Sequence, residues 1–64
     1  MANLMDLSEC LAKEGRLAQK YEGYRNEATN DDFKNSLNEL KRLSIQKMKI
    51  LHEIISEGPW LQDE

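Results

Sequence analysis

The stretch Glu27-Ala28-Thr29-Asn30-Asp31-Asp32-Phe33 decides the fold, because it has the composition of a short joint between two helices. Thr29 and Asn30 carry side-chain oxygens that can cap a following helix. Asp31 and Asp32 place negative charge on the first turn of that helix, where the helix dipole favours it. Thr29 with Asp32 is close to a capping box, with Asp in place of Glu. We therefore predict that the chain turns back on itself once, at about residues 28–31.

Apolar residues on both sides of the joint recur with the three-then-four spacing of a helix face. The first predicted helix covers about residues 3–28, and its stripe consists of Leu4, Leu7, Leu11, Ala18, Tyr21 and Ala28, widened by Cys10, Leu17 and Tyr24. The second covers about residues 31–57, and its stripe consists of Phe33, Leu37, Leu40, Leu43, Met48, Leu51, Ile54 and Ile55, with Ile45 and Ile50 to one side. Gly58-Pro59 is expected to end it, which leaves a tail at residues 58–64.

The predicted fold is an all-α, antiparallel two-helix hairpin that forms one domain over residues 1–64. The second stripe is too wide for one partner helix, and a chain of 64 residues buries little surface by itself. We therefore expect two hairpins to form a homodimeric four-helix bundle. The residues expected to pack in the core or the dimer are Leu7, Leu11, Leu17, Tyr21, Phe33, Leu37, Leu40, Met48, Leu51 and Ile55.

Charge and composition exclude several classes of function. The net charge is −3, and neither half of the chain is basic, so we expect no nucleic-acid partner. We expect no membrane partner either, because no apolar run approaches the roughly 20 residues that cross a bilayer. The first residues lack the cationic start of a secretory signal, which predicts a cytoplasmic protein. A single cysteine, Cys10, is expected to be a small core residue, or to form an intermolecular disulfide if a two-fold axis lies near it.

Glu14 is the residue most relevant to chemistry, because it falls on the apolar stripe of the first helix. A buried carboxylate has to be paired, protonated or bound to a metal. We expect Glu14 to reach solvent or to pair with Arg16, Arg42 or Lys47. We expect no catalytic residue, no cofactor and no enzymatic activity.

A metal site is the alternative for this carboxylate, with Glu14, Glu39 and His52 as candidate ligands across a dimer. Bundle metal sites of the di-iron kind use Glu-x-x-His on two helices. Here Arg42 follows Glu39 at the position of the histidine, and a permanent cation there suits a carboxylate rather than a metal.

The segment from Glu14 to Leu61 resembles the ferritin-like spore coat proteins of endospore-forming bacteria. The similar motifs are Ala12-Lys13-Glu14, Leu17-Ala18-Gln19-Lys20-Tyr21, Asn26-Glu27-Ala28-Thr29 and the helix end Ile54-Ile55-Ser56-Glu57-Gly58-Pro59-Trp60. The resemblance implies half of a ferritin-like bundle, completed by a second copy, with a structural role and a spore-associated location. Of the positions where the wider group places metal ligands, only Glu14 and Glu39 match, so the resemblance does not imply di-iron activity.

The sequence thus predicts a small structural or protein-interaction module, whose partner is a second copy or another helical protein. Besides the metal-binding alternative, a third hypothesis is a small helical regulator of a signalling protein. Helical-hairpin phosphatases of sporulation carry a Ser-Gln-Glu-Leu-Asp core, which Ser36-Leu37-Asn38-Glu39-Leu40 matches poorly.

Overall fold

Two α-helices packed against each other make up the described part of the chain, residues 4–57 of a computed structural model. Helix α1 spans Leu4–Glu27 and helix α2 spans Asp31–Glu57, so the predicted helical hairpin is confirmed. The bounds agree with the predicted ones to within a residue where they can be compared. The predicted start of the first helix at about residue 3 and the predicted stop at Gly58-Pro59 lie outside the described residues.

The joint consists of residues 28–30, and its geometry identifies the residue that caps α2. Asn30 Oδ1 accepts a hydrogen bond of 2.9 Å from the backbone N–H of Phe33, and the Asn30 carbonyl accepts one of 3.0 Å from Lys34. The predicted box between Thr29 and Asp32 is therefore wrong. Because α2 begins at Asp31, the third helical residue is Phe33, which has no carboxylate to return to the cap.

Replacing Asn30 by alanine should lower the free energy of unfolding by about 1 kcal/mol, because the N–H of Phe33 then loses its side-chain acceptor. Thr29→Ala is the matched control and should change stability by less than half of that. Chemical denaturation of both variants measures the difference. A larger loss of stability in Thr29→Ala than in Asn30→Ala would show that Thr29, and not Asn30, caps α2.

The two helices meet along a heptad seam that runs the length of the hairpin. In α2 every residue that is not exposed falls on a strict three-then-four spacing, and these residues are Lys34, Leu37, Lys41, Ser44, Met48, Leu51 and Ile55. In α1 the same spacing selects Leu7, Leu11, Glu14, Ala18, Tyr21 and Arg25, and it continues to Ala28 in the joint. We call these two sets together the hairpin seam. Such 3.5-residue spacing is typical of helices packed as in a coiled coil.

The register of the hairpin seam follows from contacts between the helices. Glu22 pairs with Lys41, and a Cβ placed on Gly15 would lie 3.6 Å from Met48 Sδ. This register sets Ala18 level with Ser44, and these two small residues are among the most buried side chains, at 7% and 4% exposed. Their small size lets the helix backbones approach closely at mid-length.

Gly23 lies on the outside of α1, where an added Cβ would meet nothing within 4 Å. Gly23→Ala should therefore raise the free energy of unfolding by about 0.5–1 kcal/mol, through the better helix propensity of alanine. Thermal denaturation followed by circular dichroism measures the gain. Gly15→Ala is a useful comparison because its Cβ would touch Met48 at an ordinary van der Waals distance. A loss of stability in Gly23→Ala would show that this face is covered.

Candidate interaction surface

One side of the hairpin is apolar although it faces solvent. It contains Cys10, Leu17 and Tyr24 of α1, which are seven residues apart, and Phe33, Leu40, Leu43, Ile50 and Ile54 of α2. We call this set the outer apolar face. All eight residues are exposed; Phe33 is 54% exposed and Ile50 is 51% exposed. By contrast, the hairpin buries only one large apolar side chain well, Leu37 at 5% exposed.

Two open grooves show that the two helices share this face. One groove, of about 440 Å³, is lined by Cys10, Lys13, Glu14, Leu17, Lys47, Ile50 and Leu51. The other lies at the joint and is lined by Tyr24, Glu27, Ala28 and Phe33. The outer apolar face therefore extends from the joint to the far end of the hairpin. A contiguous exposed apolar surface of this kind is typical of a protein–protein interface.

In α2 the outer apolar face forms a heptad seam of its own. Residues at three-then-four spacing along it are Phe33, Ser36, Leu40, Leu43, Lys47, Ile50 and Ile54, which we call the outer seam. Five of these seven residues are apolar, against four of seven in the α2 half of the hairpin seam. Helix α2 thus offers its more apolar seam to solvent. A helix with two such seams has two packing neighbours, as in a four-helix bundle.

The opposite side of the hairpin is polar. A groove there is lined by Arg25, Asn26, Asp31, Lys34, Asn35 and Asn38. Arg25 donates a hydrogen bond of 3.0 Å to Asn26 Oδ1, and its guanidinium lies 3.8 Å from the Glu22 carboxylate. These groups are suited to water. Apart from Ile45, which follows Asn38 by seven residues and is exposed, the hairpin therefore has one polar side and one side suited to packing.

Glu14 lies in the hairpin seam at the edge of the larger groove, with its side chain 15% exposed. Lys47 Nζ is 3.7 Å from Glu14 Oε1, so the predicted pairing with Lys47 is confirmed. Glu14 Oε2 is buried and accepts no hydrogen bond. Because the two charges compensate each other, Lys47 can lie in the outer seam without leaving an isolated charge in a covered face.

The other two candidate metal ligands lie elsewhere in the hairpin. Glu39 is on the outside of α2, where its carboxylate accepts hydrogen bonds of 3.0 and 2.6 Å from Arg42. His52 lies beside Ser56, 3.5 Å from its hydroxyl. Glu14 and Glu39 are roughly 13 Å apart along the hairpin axis in this register. Within residues 4–57 no three His, Cys, Asp or Glu side chains are grouped as a metal site would require.

Three residues predicted as core or dimer contacts, Leu17, Phe33 and Leu40, are exposed in the single hairpin. They all lie on the outer apolar face, and their role in a dimer stays a prediction. The other seven of that set lie in the hairpin seam. The prediction that Cys10 is a core residue is wrong for the hairpin, because the heptad spacing places it beside the seam, where it is exposed.

Two ion pairs shift the pKa values of their glutamates. Lys41 donates a hydrogen bond to Glu22 and lowers the pKa of that carboxyl, with the charges of Lys41 and Arg25 acting in the same direction. Arg42 likewise donates hydrogen bonds to Glu39 and lowers the pKa of that carboxyl, and the same hydrogen bonds raise the pKa of Arg42. The first pair joins the two helices, whereas the second lies within α2.

Because both glutamates have a lowered pKa in the folded state, their contribution to stability is present above the ordinary value of 4.5 and is lost as the pH falls below it. We expect the midpoint of urea unfolding to decrease between pH 6 and about pH 3. Glu22→Gln should flatten this dependence. Glu39→Gln is the matched control for a pair that does not cross the hairpin. An identical pH profile in Glu22→Gln and the unmodified chain would contradict a stabilising role for the Glu22–Lys41 pair.

No family model matches this chain, and neither a curated protein nor a solved structure matches it. The resemblance to ferritin-like spore coat proteins therefore stays a prediction. Neither helix is long and apolar enough to cross a membrane; this finding covers residues 4–57.

Proposed function

We propose that this chain is a small structural or protein-interaction module, and that it works as a homodimeric four-helix bundle closed over the outer apolar face. The observation that carries this proposal is the exposure of eight apolar side chains on one side of a two-helix hairpin. We place the module in the cytoplasm, on the basis of its acidic, charge-rich composition.

The weak burial within one hairpin supports a second copy as a source of stability. Among residues 4–57 only Ala18, Leu37 and Ser44 are buried. Chains of this size usually need a disulfide, a metal or association to be stable. The one cysteine cannot form a disulfide within the chain. Association then covers apolar surface that would otherwise remain in water.

The polar side of the hairpin supports a bundle with one covered face and one solvated face. Asn38 lies on that side, and a symmetric dimer that buried it would leave amide groups without water. The outer apolar face imposes a smaller penalty, since Lys47 already has Glu14 beside it, and the long side chains of Lys13 and Lys20 at its α1 edge can keep their ammonium groups in water. A structural role in a spore coat is the specific version of this proposal that the family resemblance suggests.

If the dimer is closed over the outer apolar face, a charge added to that face of α2 should weaken it, whereas the same charge on the polar side should not. Leu40→Asp places a charge on the outer apolar face and should convert the dimer to a monomer, or weaken the dimer at least tenfold, because the carboxylate is desolvated there. Asn38→Asp adds the same charge to the polar side of the same helix and should leave the dimer intact. Sedimentation equilibrium over a range of concentrations measures both.

A third variant separates dimerisation from hairpin stability. Leu37→Ala removes the best-buried large side chain of the hairpin seam and should lower the free energy of unfolding by about 2 kcal/mol or more. If the unmodified chain sediments as a stable folded monomer at every concentration, the homodimer is excluded. In that event the outer apolar face would have to serve a different helical protein.

A further inference from the structure

The outer seam of α2 has a symmetry that selects one way of pairing two copies. From Phe33 to Ile50 its residues are apolar, polar, apolar, apolar, polar and apolar, at spacings of three, four, three, four and three. This pattern reads the same from either end. In an antiparallel pair of α2 helices related by a two-fold axis between Leu40 and Leu43, each apolar residue of this stretch therefore lies opposite an apolar residue, and each polar residue lies opposite a polar one.

We infer that the dimer forms by antiparallel packing of α2 against α2 in this register, with the two joints at opposite ends of the bundle. This inference rests on the proposed dimer. Phe33 then packs against the partner's Ile50, and Leu40 against the partner's Leu43. Ser36 lies opposite the partner's Lys47, so the two polar positions of the seam meet each other.

The neighbouring register is chemically worse. Moving the axis by half a heptad, to between Leu43 and Lys47, places Lys47 against the partner's Leu43. It also places Ser36 against the partner's Ile54. Both contacts set a polar group against a large apolar side chain, which is costly in a covered face. The palindromic register avoids both contacts.

A two-fold axis parallel to the helices is also disfavoured. That axis would pack α2 against α1 of the partner, with both joints at the same end. The exposed edge of α1 alternates apolar and charged residues, with Lys13 on one side of Leu17 and Lys20 on the other. In the hairpin register these lysines are level with Ile50 and Leu43. Antiparallel packing of α2 on α2 instead sets apolar residues against apolar ones.

Helix α1 is compatible with the inferred dimer. The axis crosses α1 near Lys20 and Tyr21, which sets Leu17 level with the partner's Tyr24 and Lys13 level with the partner's Ala28, one residue from the partner's Glu27. Lys20 lies beside the axis, and its long side chain can keep the ammonium group in water. Cys10 is about 30 Å from the partner's Cys10 along the bundle, so the natural cysteine cannot cross-link this dimer.

Spin labels at Asn35, Arg42 and Lys49 test the arrangement in a Cys10→Ser background. These sites are seven residues apart on one face of α2, so their lateral offset from the axis is the same. Their axial separations between copies should be about 20 Å at residue 35, under about 3 Å at residue 42 and about 22 Å at residue 49. Pulsed and continuous-wave electron paramagnetic resonance measure them.

Each result has one meaning. A short distance at residue 42 with similar long distances at residues 35 and 49 supports the inferred register. Equal distances at all three sites would establish an axis parallel to the helices and overturn the inference, while the dimer itself would stand. A distance at residue 49 much shorter than at residue 35 would overturn the register. Absence of any dipolar coupling, with monomeric sedimentation, would overturn the proposed function.

A charge test at Ser36 does not depend on labels. Ser36→Glu should tighten the dimer about fivefold, because each carboxylate faces the partner's Lys47, and Ser36→Lys should weaken it by a similar factor. Asn38→Glu and Asn38→Lys are the matched controls on the polar side. Equal dissociation constants for the two Ser36 variants would contradict the contact with Lys47.

Discussion

A neighbouring helix can cover only one face of α2, yet α2 has apolar residues on two. Its hairpin seam and its outer seam are both heptad repeats, and they lie about 100° apart around the helix. Helix α1 covers the first and leaves Phe33, Leu40 and Ile50 in water. The loss of conformational entropy on folding leaves small proteins marginally stable. Burial of the exposed second seam would therefore supply a large fraction of the free energy that such a chain could gain. The proposed dimer follows from this one constraint.

The hairpin seam supplies specificity more than stabilisation. It contains Lys34, Lys41 and Ser44 in α2 and Glu14 in α1, at positions that larger bundles fill with leucine. The ion pairs Glu22–Lys41 and Glu14–Lys47 contribute little net free energy, but they penalise a slipped register, in which these charges would lose their partners. In the proposed dimer, folding of the hairpin and association of two copies are linked, because association stabilises a fold whose own seam is weak.

Local features of the sequence predicted the joint and the helix bounds, because capping, dipole and apolar spacing act within a few residues. The Glu14–Lys47 pair was among three predicted alternatives, since heptad position limits the cations within reach. The division of the wide α2 stripe into two seams was not predicted. The spacing of Phe33 and Leu40 carried that signal, but which residues face α1 depends on the polar positions Lys41 and Ser44. The Glu22–Lys41 pair was also missed, because it depends on how far one helix is displaced along the other.

The joint of only three residues has a consequence for how the molecule reaches its folded state. Contacts near the joint link residues close in sequence, so the hairpin can close from residues 28–30 outward, without a costly long loop. Helical proteins with such local contacts fold within microseconds to milliseconds. In the proposed dimer, two copies then have to find each other by diffusion. In a dilute solution the slow, concentration-dependent event of its assembly would be the encounter between hairpins, so the rate at which the bundle appears would rise with protein concentration.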